Sequence, residues 1–173
     1  MKQFRYIVIA AILCIGSFSV VLQSSCSKNK CGSTTCANGG SCVDSKCICP
    51  TGYSGNSCQT GWSDPAIGTY SCKRSSCSPR VADTSMWQSA ITKNATNGGY
   101  SIYISNFDKS NITVIATIDS AINGKNKITV SPATGTTGIQ ASGYYSNGVI
   151  SLNFTSATGG VGGYTCDMVM TKL

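Results

Sequence analysis

The chain has 173 residues, a formal net charge of +7, 41% hydrophobic residues and 11 cysteines, enough for one ordinary domain plus a small one. It holds neither His nor Glu, and its acids are Asp44, Asp64, Asp83, Asp108, Asp119 and Asp167; this excludes Ser-His-Asp and Cys-His pairs and His metal ligands, and these single, scattered Asp residues read as turn positions, so a non-enzyme without catalytic residues, cofactor or metal is expected. Lys and Arg are dispersed, with no run beyond Lys28/Lys30 and Lys73/Arg74, whereas nucleic-acid binding needs a concentrated basic stripe, so no such partner is expected.

The chain opens with Lys2 and Arg5 in an acid-free stretch to Tyr6, a nearly continuous apolar run from Ile7 to Leu22, and the small polar segment Gln23-Ser24-Ser25. This is the layout of an export signal, and the run is short of the roughly 20 apolar residues of a membrane span. Residues 1–25 are therefore read as a signal peptide and 26–30 as anchor and linker. Leu22 and the two serines ahead of Cys26 make this cysteine resemble the lipobox cysteine of bacterial lipoproteins, particularly the loose form of Bacteroidetes. The resemblance implies cleavage before Cys26, acyl chains such as palmitate on its thiol, and a place in the cell outer membrane, with the surface and periplasmic faces both open. At about 0.8 kcal/mol per buried methylene, two or three chains hold a protein on a membrane durably.

Next come Cys31, Cys36, Cys42, Cys47, Cys49 and Cys58, separated by four, five, four, one and eight residues. Counting alone leaves every pairing open. The single residue between Cys47 and Cys49 is unlike the paired knuckles of structural zinc sites, and an exported chain meets an oxidising compartment. Asn38-Gly39-Gly40 supplies a tight turn, and Pro50 with Gly52, Tyr53 and Gly55 supplies a second bend with an aromatic to pack on it. With these turns, 31–58 resembles the epidermal growth factor-like (EGF-like) family along its whole length. The resemblance implies bridges Cys31–Cys42, Cys36–Cys47 and Cys49–Cys58, each contributing on the order of 3 kcal/mol to a unit too small to fold on a core alone. The family's calcium site needs an acidic segment before the first cysteine. Ser27-Lys28-Asn29-Lys30 is basic and only Asp44 matches a later ligand position, so no calcium is expected.

Residues 59–65, polar with Gly61 and Pro65, read as a linker, and 66–173 as an antiparallel β domain. Short strands are expected near 67–73, 86–93, 100–105, 112–118, 127–131, 137–143, 148–154 and 163–171, punctuated by Asn97-Gly98, Asn123-Gly124, Asn147-Gly148 and the Gly159 to Gly163 run. Ile112, Val114, Ala116 and Ile118 share one face, as do Ile150, Leu152 and Phe154, and Tyr164, Cys166, Met168 and Met170. Eight meandering strands suggest an up-and-down barrel or sandwich closed first strand to last.

Cys166 in the last strand would bridge that seam to Cys72 or Cys77: pleat parity favours Cys72, which shares a face with Tyr70. The Gly68-Thr69-Tyr70 start and the Tyr164 to Lys172 end resemble lipocalin-like domains of Bacteroidetes lipoproteins, a likeness that points to Cys77, so the partner stays open. Tyr70, Trp87, Tyr100, Tyr103, Met168 and Met170 are the candidate lining of a pocket, against the simpler reading that such stripes are core.

The whole is mainly β: a disulfide-rich EGF-like module plus an eight-stranded lipocalin-like barrel. The function expected is non-catalytic, in a membrane-anchored envelope lipoprotein that uses the module as spacer and the β domain for binding or adhesion to a protein or glycan. The alternatives are a carrier of a small apolar ligand and a secreted eukaryotic ligand of an EGF-type receptor.

Overall fold

The computed structural model describes residues 31–82, 85–131, 138–157 and 163–173. The leader, Cys26 with the 26–30 segment, and residues 159–162 of the glycine run lie outside the described residues.

The N-terminal module is built on two small hairpins. Strands β1 (Ser41–Val43) and β2 (Lys46–Ile48) pair with Cys42 opposite Cys47, joined through Asp44 and Ser45, both at positive φ, the twist a two-residue hairpin turn requires. Strands β3 (Tyr53–Ser54) and β4 (Thr60–Gly61) form the second pair. Bridges join Cys31 to Cys42, Cys36 to Cys47 and Cys49 to Cys58. Asn38 and Gly39 sit at φ 51° and 78° in a turn closed by the Gly40 amide donating to the Ala37 carbonyl at 3.0 Å. Asn38 Nδ2 also donates to the Cys58 carbonyl at 2.7 Å, tying this turn to the last cysteine.

The second unit is a closed barrel of eight antiparallel strands: β5 (Gly68–Ser78), β6 (Trp87–Lys93), β7 (Ser101–Phe107), β8 (Ile112–Ile118), β9 (Asn126–Val130), β10 (Gly138–Ser146), β11 (Val149–Ala157) and β12 (Tyr164–Lys172). Each strand pairs with its successor, and β12 closes on β5 from Lys172 opposite Tyr70 to Thr165 opposite Ser78. Period-two alternation sorts the side chains: along β11 exposed and buried residues alternate without a break, placing Ile150, Leu152 and Phe154 inside. Tyr70, Ile91, Ile104, Ile118, Ile128 and Met170 meet them there, and Phe107 packs edge-on to Phe154 at a centroid distance of 5.4 Å. The interior is a packed core.

One inward position must stay empty. Gly143 faces Ile128 on one neighbour and Leu152 on the other, and a Cβ there would lie 1.9 Å from the Ser151 carbonyl oxygen. Strand β10 can bend this close to β11 only without a side chain.

Residues 59–65, expected as a linker, are built into both units. Thr60 and Gly61 complete the module's second hairpin, and Asp64–Ala66 forms a 3-10 turn against the end of the barrel. Ala66 is fully buried in the barrel core, and its carbonyl accepts from Tyr70 Oη at 2.8 Å. The Pro65 carbonyl accepts from both Tyr145 Oη, at 2.8 Å, and Lys172 Nζ, at 3.1 Å.

Candidate functional site

Four of the six residues expected to line a pocket, Tyr70, Trp87, Met168 and Met170, are buried in the barrel core. The other two are not with them. Tyr103 pairs with Thr92 and Ile115 on the outer surface, because Ile102 and Ile104 on either side of it point inward. Tyr100 ends the 3-10 segment Ala95–Tyr100, next to Gly52 of the module. The six therefore form no common lining.

The seam bridge runs from Cys77 to Cys166, and Cys72 is a buried free thiol. Pleat parity pointed to Cys72 because it assumes an unbroken strand. Two β5 residues, Ser76 and Cys77, lie opposite Cys166 alone, between the Asp167–Ser75 and Thr165–Ser78 pairs, and Ser76 has φ 51°. That bulge reverses the alternation and turns Cys77 toward the seam. Cys72 instead sits opposite Met170, and burial pushes its thiol pKa up against the lowering effect of hydrogen bonds with Ser89.

The bridged end of the barrel holds a polar cluster. Arg74 extends inward from β5, and its Nη1 donates to Asp108 Oδ1 at 2.6 Å, the two side chains being 7% and 3% exposed. The second Asp108 oxygen accepts from Tyr164 Oη. The Arg74 guanidinium lies 5.8 Å from the Trp87 ring centroid, in cation–π range. Asp108 follows Phe107 at the end of β7 with φ 52°, which aims its carboxylate back over the interior.

Burial, joined by the Asp108 hydrogen bond and charge, pushes the Tyr164 pKa above 10.0. Burial and Tyr145 push Tyr70 upward too. Phenols whose folded-state pKa is raised contribute stability that is complete below the unfolded value and is lost as pH rises through the folded one. Cys72, whose buried thiol pKa is also raised, follows the same rule from a lower unfolded value. Unfolding free energy measured by urea titration should therefore hold up to about pH 8.5, begin to fall there, and fall more steeply beyond about pH 10 as the phenols join. Tyr164→Phe should make the fall shallower; an unchanged alkaline slope would remove Tyr164 from this account.

At the opposite end the module is seated on the barrel. The Trp62 amide donates to the Gly52 carbonyl at 2.9 Å and the Ser63 amide to the Gly99 carbonyl at 2.8 Å. A Cβ on Gly99 would lie 2.3 Å from the Gly52 carbonyl oxygen and 2.9 Å from both the Gly61 Cα and the Tyr53 ring. Gly52, with φ 96°, and Tyr53 thus serve the seat as well as the module's bend. Gly55, at φ 93°, lies against the Gln59 side chain, and Gly40 against Cys58 Sγ. Gly99→Ala should leave the disulfides intact but lever the module off, with a loss of about 1–3 kcal/mol from overpacking. Faster amide exchange at Trp62 and Ser63 would report it, and unchanged exchange would show that the seat tolerates a methyl.

Several depressions open on the outer surface of the barrel. One of about 430 Å³ is lined by Thr129, Gln140, Ser142, Asn153 and Thr155, hydroxyls and amides on β9 to β11. Another of about 480 Å³ lies beside the seam bridge, next to Lys73, Arg74 and Arg80. A third of about 500 Å³ lies between the β8–β9 hairpin and β10, lined by Asp119, Ile122, Asn123, Lys125, Lys127 and Tyr144. Ile122 is 73% exposed and Tyr144 54%. Sequence reasoning singled out none of these three, since each is assembled from residues that share only a place on the folded surface. A signal did exist for Arg74, which follows Tyr70 and Cys72 at inward parity in β5 and so announces a buried charge needing a partner.

Among the described residues no group of three His, Cys, Asp or Glu side chains could hold a metal ion, and no helix is long and apolar enough to cross a membrane. In comparison with known proteins, residues 26–57 match the EGF-like domain family. Searches of curated proteins and of solved structures returned no match. The chain thus carries an EGF-like module, closed by three bridges and joined to an eight-stranded antiparallel β-barrel.

Proposed function

We propose that this is a lipocalin-like binding protein for a small ligand of partly apolar character, non-catalytic, and carried on a membrane through acyl chains on Cys26. The observation that carries the reading is the form of the barrel: a closed meander whose interior is occupied by its own side chains, with depressions that open outward. Small-ligand sites are usually concave clefts of roughly 300–1,000 Å³ with a mainly apolar lining and a few placed polar groups, and of these depressions the one of about 500 Å³ beside Ile122 and Tyr144 comes nearest to that form. The ligand therefore meets the outer wall or rim of the barrel and not its axis. Membrane attachment rests on the leader and on the serines before Cys26.

Native mass spectrometry of the full chain, purified without denaturant, tests the ligand. A stoichiometric small molecule is expected, and its absence from protein taken from its own membrane would overturn the reading. Intact mass of the same sample reports acylation of Cys26; a mature chain with an unmodified thiol there would remove the anchor. One observation favours adhesion to a protein or glycan as a second reading. The module is held against the barrel at Gly52, Gly61 and Gly99, which makes it a fixed stem able to present the barrel at a set orientation.

A further inference from the structure

We propose that the cleft between the β8–β9 hairpin and β10 is the binding site, and that its occupant is a free amphiphile with a short apolar body and an anionic head; this rests on the small-ligand reading above. The cleft is preformed. Asn123 and Gly124 turn the hairpin at φ 52° and 74°, and Ile122 and Lys125 exchange backbone hydrogen bonds of 2.9 and 3.1 Å across it. Asn126 Nδ2 donates to the Asp119 carbonyl at 2.8 Å, and Ser146 Oγ donates to the Gly124 carbonyl at 3.1 Å, pinning the hairpin to the end of β10.

On this frame two of the most exposed large apolar side chains of the molecule, Ile122 and Tyr144, line the same cleft. Single exposed apolar residues are ordinary on a protein surface, but two converging on one concavity need a reason. The charges around them supply it. Lys127 is the cross-strand neighbour of Tyr144, Lys125 follows the turn, and Asp119 is the only acid in the lining. The ion pairs Arg74–Asp108 and Lys93–Asp64 lie elsewhere, and among the described residues no carboxylate is paired with Lys125 or Lys127.

An apolar wall with an excess ammonium beside it complements a ligand of opposite design. A neutral glycan would use the hydroxyl and amide groups around Thr129, Gln140 and Asn153 instead.

The test uses the full chain, titrated with sodium decanoate, decyl sulfate and decyltrimethylammonium below their micelle concentrations and followed by amide chemical shifts. Decanoate and decyl sulfate should shift residues 119–127 and 144, with decyltrimethylammonium about tenfold weaker. Lys125→Gln with Lys127→Gln should weaken the two anions by about tenfold and leave the cation unchanged or tighter. Tyr144→Ser should weaken all three. All these positions are exposed, so the variants should fold. Equal affinity for anion and cation at this cleft would overturn the anionic head and leave the small-ligand reading standing. Shifts at another surface would overturn the site alone, and no binding by any probe would count against both. Binding only to vesicles of anionic phospholipid, with no response to decanoate, would overturn the free amphiphile.

Discussion

Asp108→Ala should destabilise the barrel by about 3–5 kcal/mol, the range for removing one partner of a buried ion pair. The arithmetic is asymmetric. The pair itself earns little net stability, since both charges had to leave water, but taking away the carboxylate leaves the Arg74 cation buried without the anion 2.6 Å away and deprives Tyr164 of its acceptor. The midpoint of urea unfolding should fall with an unchanged slope, because the folded surface is the same. Asp108→Asn keeps the shape and one acceptor oxygen, so its loss should be smaller. A loss under about 1 kcal/mol in Asp108→Ala would mean that water reaches Arg74 readily and that the cluster is a surface feature.

Joint replacement of Cys77 and Cys166 by alanine should be of similar size. The bridge spans a sequence separation of 89, for which chain-entropy reasoning gives about 4–5 kcal/mol, more than for any one of the module's bridges, which span 9 to 11. Replacing both residues avoids a stray thiol. Thermal unfolding of the variant should begin well below that of the parent, and parent treated with mild reductant should follow it. Coincident curves for parent and variant would show that the unfolded chain keeps its ends together without the bond.

Most of the fold was legible because each unit writes its structure locally. In the module, cysteine spacing and the turns at Asn38-Gly39 and Gly52 are close in sequence. In the barrel, strict alternation, as in Ile150-Ser151-Leu152-Asn153-Phe154, can satisfy a half-buried strand only one way. What escaped reading depends on long-range geometry. The bulge at Ser76 reverses parity for reasons located on β12, so Cys77 and not Cys72 meets Cys166. Arg74 and Asp108 are 34 residues apart, and nothing near either names the other. Gly99 looks like a common turn glycine until the Gly52 carbonyl comes to rest against it. Residues 59–65 have a linker's composition, yet Ala66 immediately after them is small enough to enter the end of the barrel. The surface cleft around Tyr144 was hidden for the same reason, as it exists only once β9 and β10 are paired.

The Cys77–Cys166 bond also decides what a protease can do to this molecule. It closes the chain between β5 and β12 into a covalent loop that contains six of the eight barrel strands and every turn between them. A single cut in any of those turns leaves both pieces tied together and the strand neighbours in place. Such a nicked protein would migrate intact on a non-reducing gel and divide in two only with reductant. In any oxidising compartment, where disulfides persist, the barrel would thus stay in one covalent piece after its first cut.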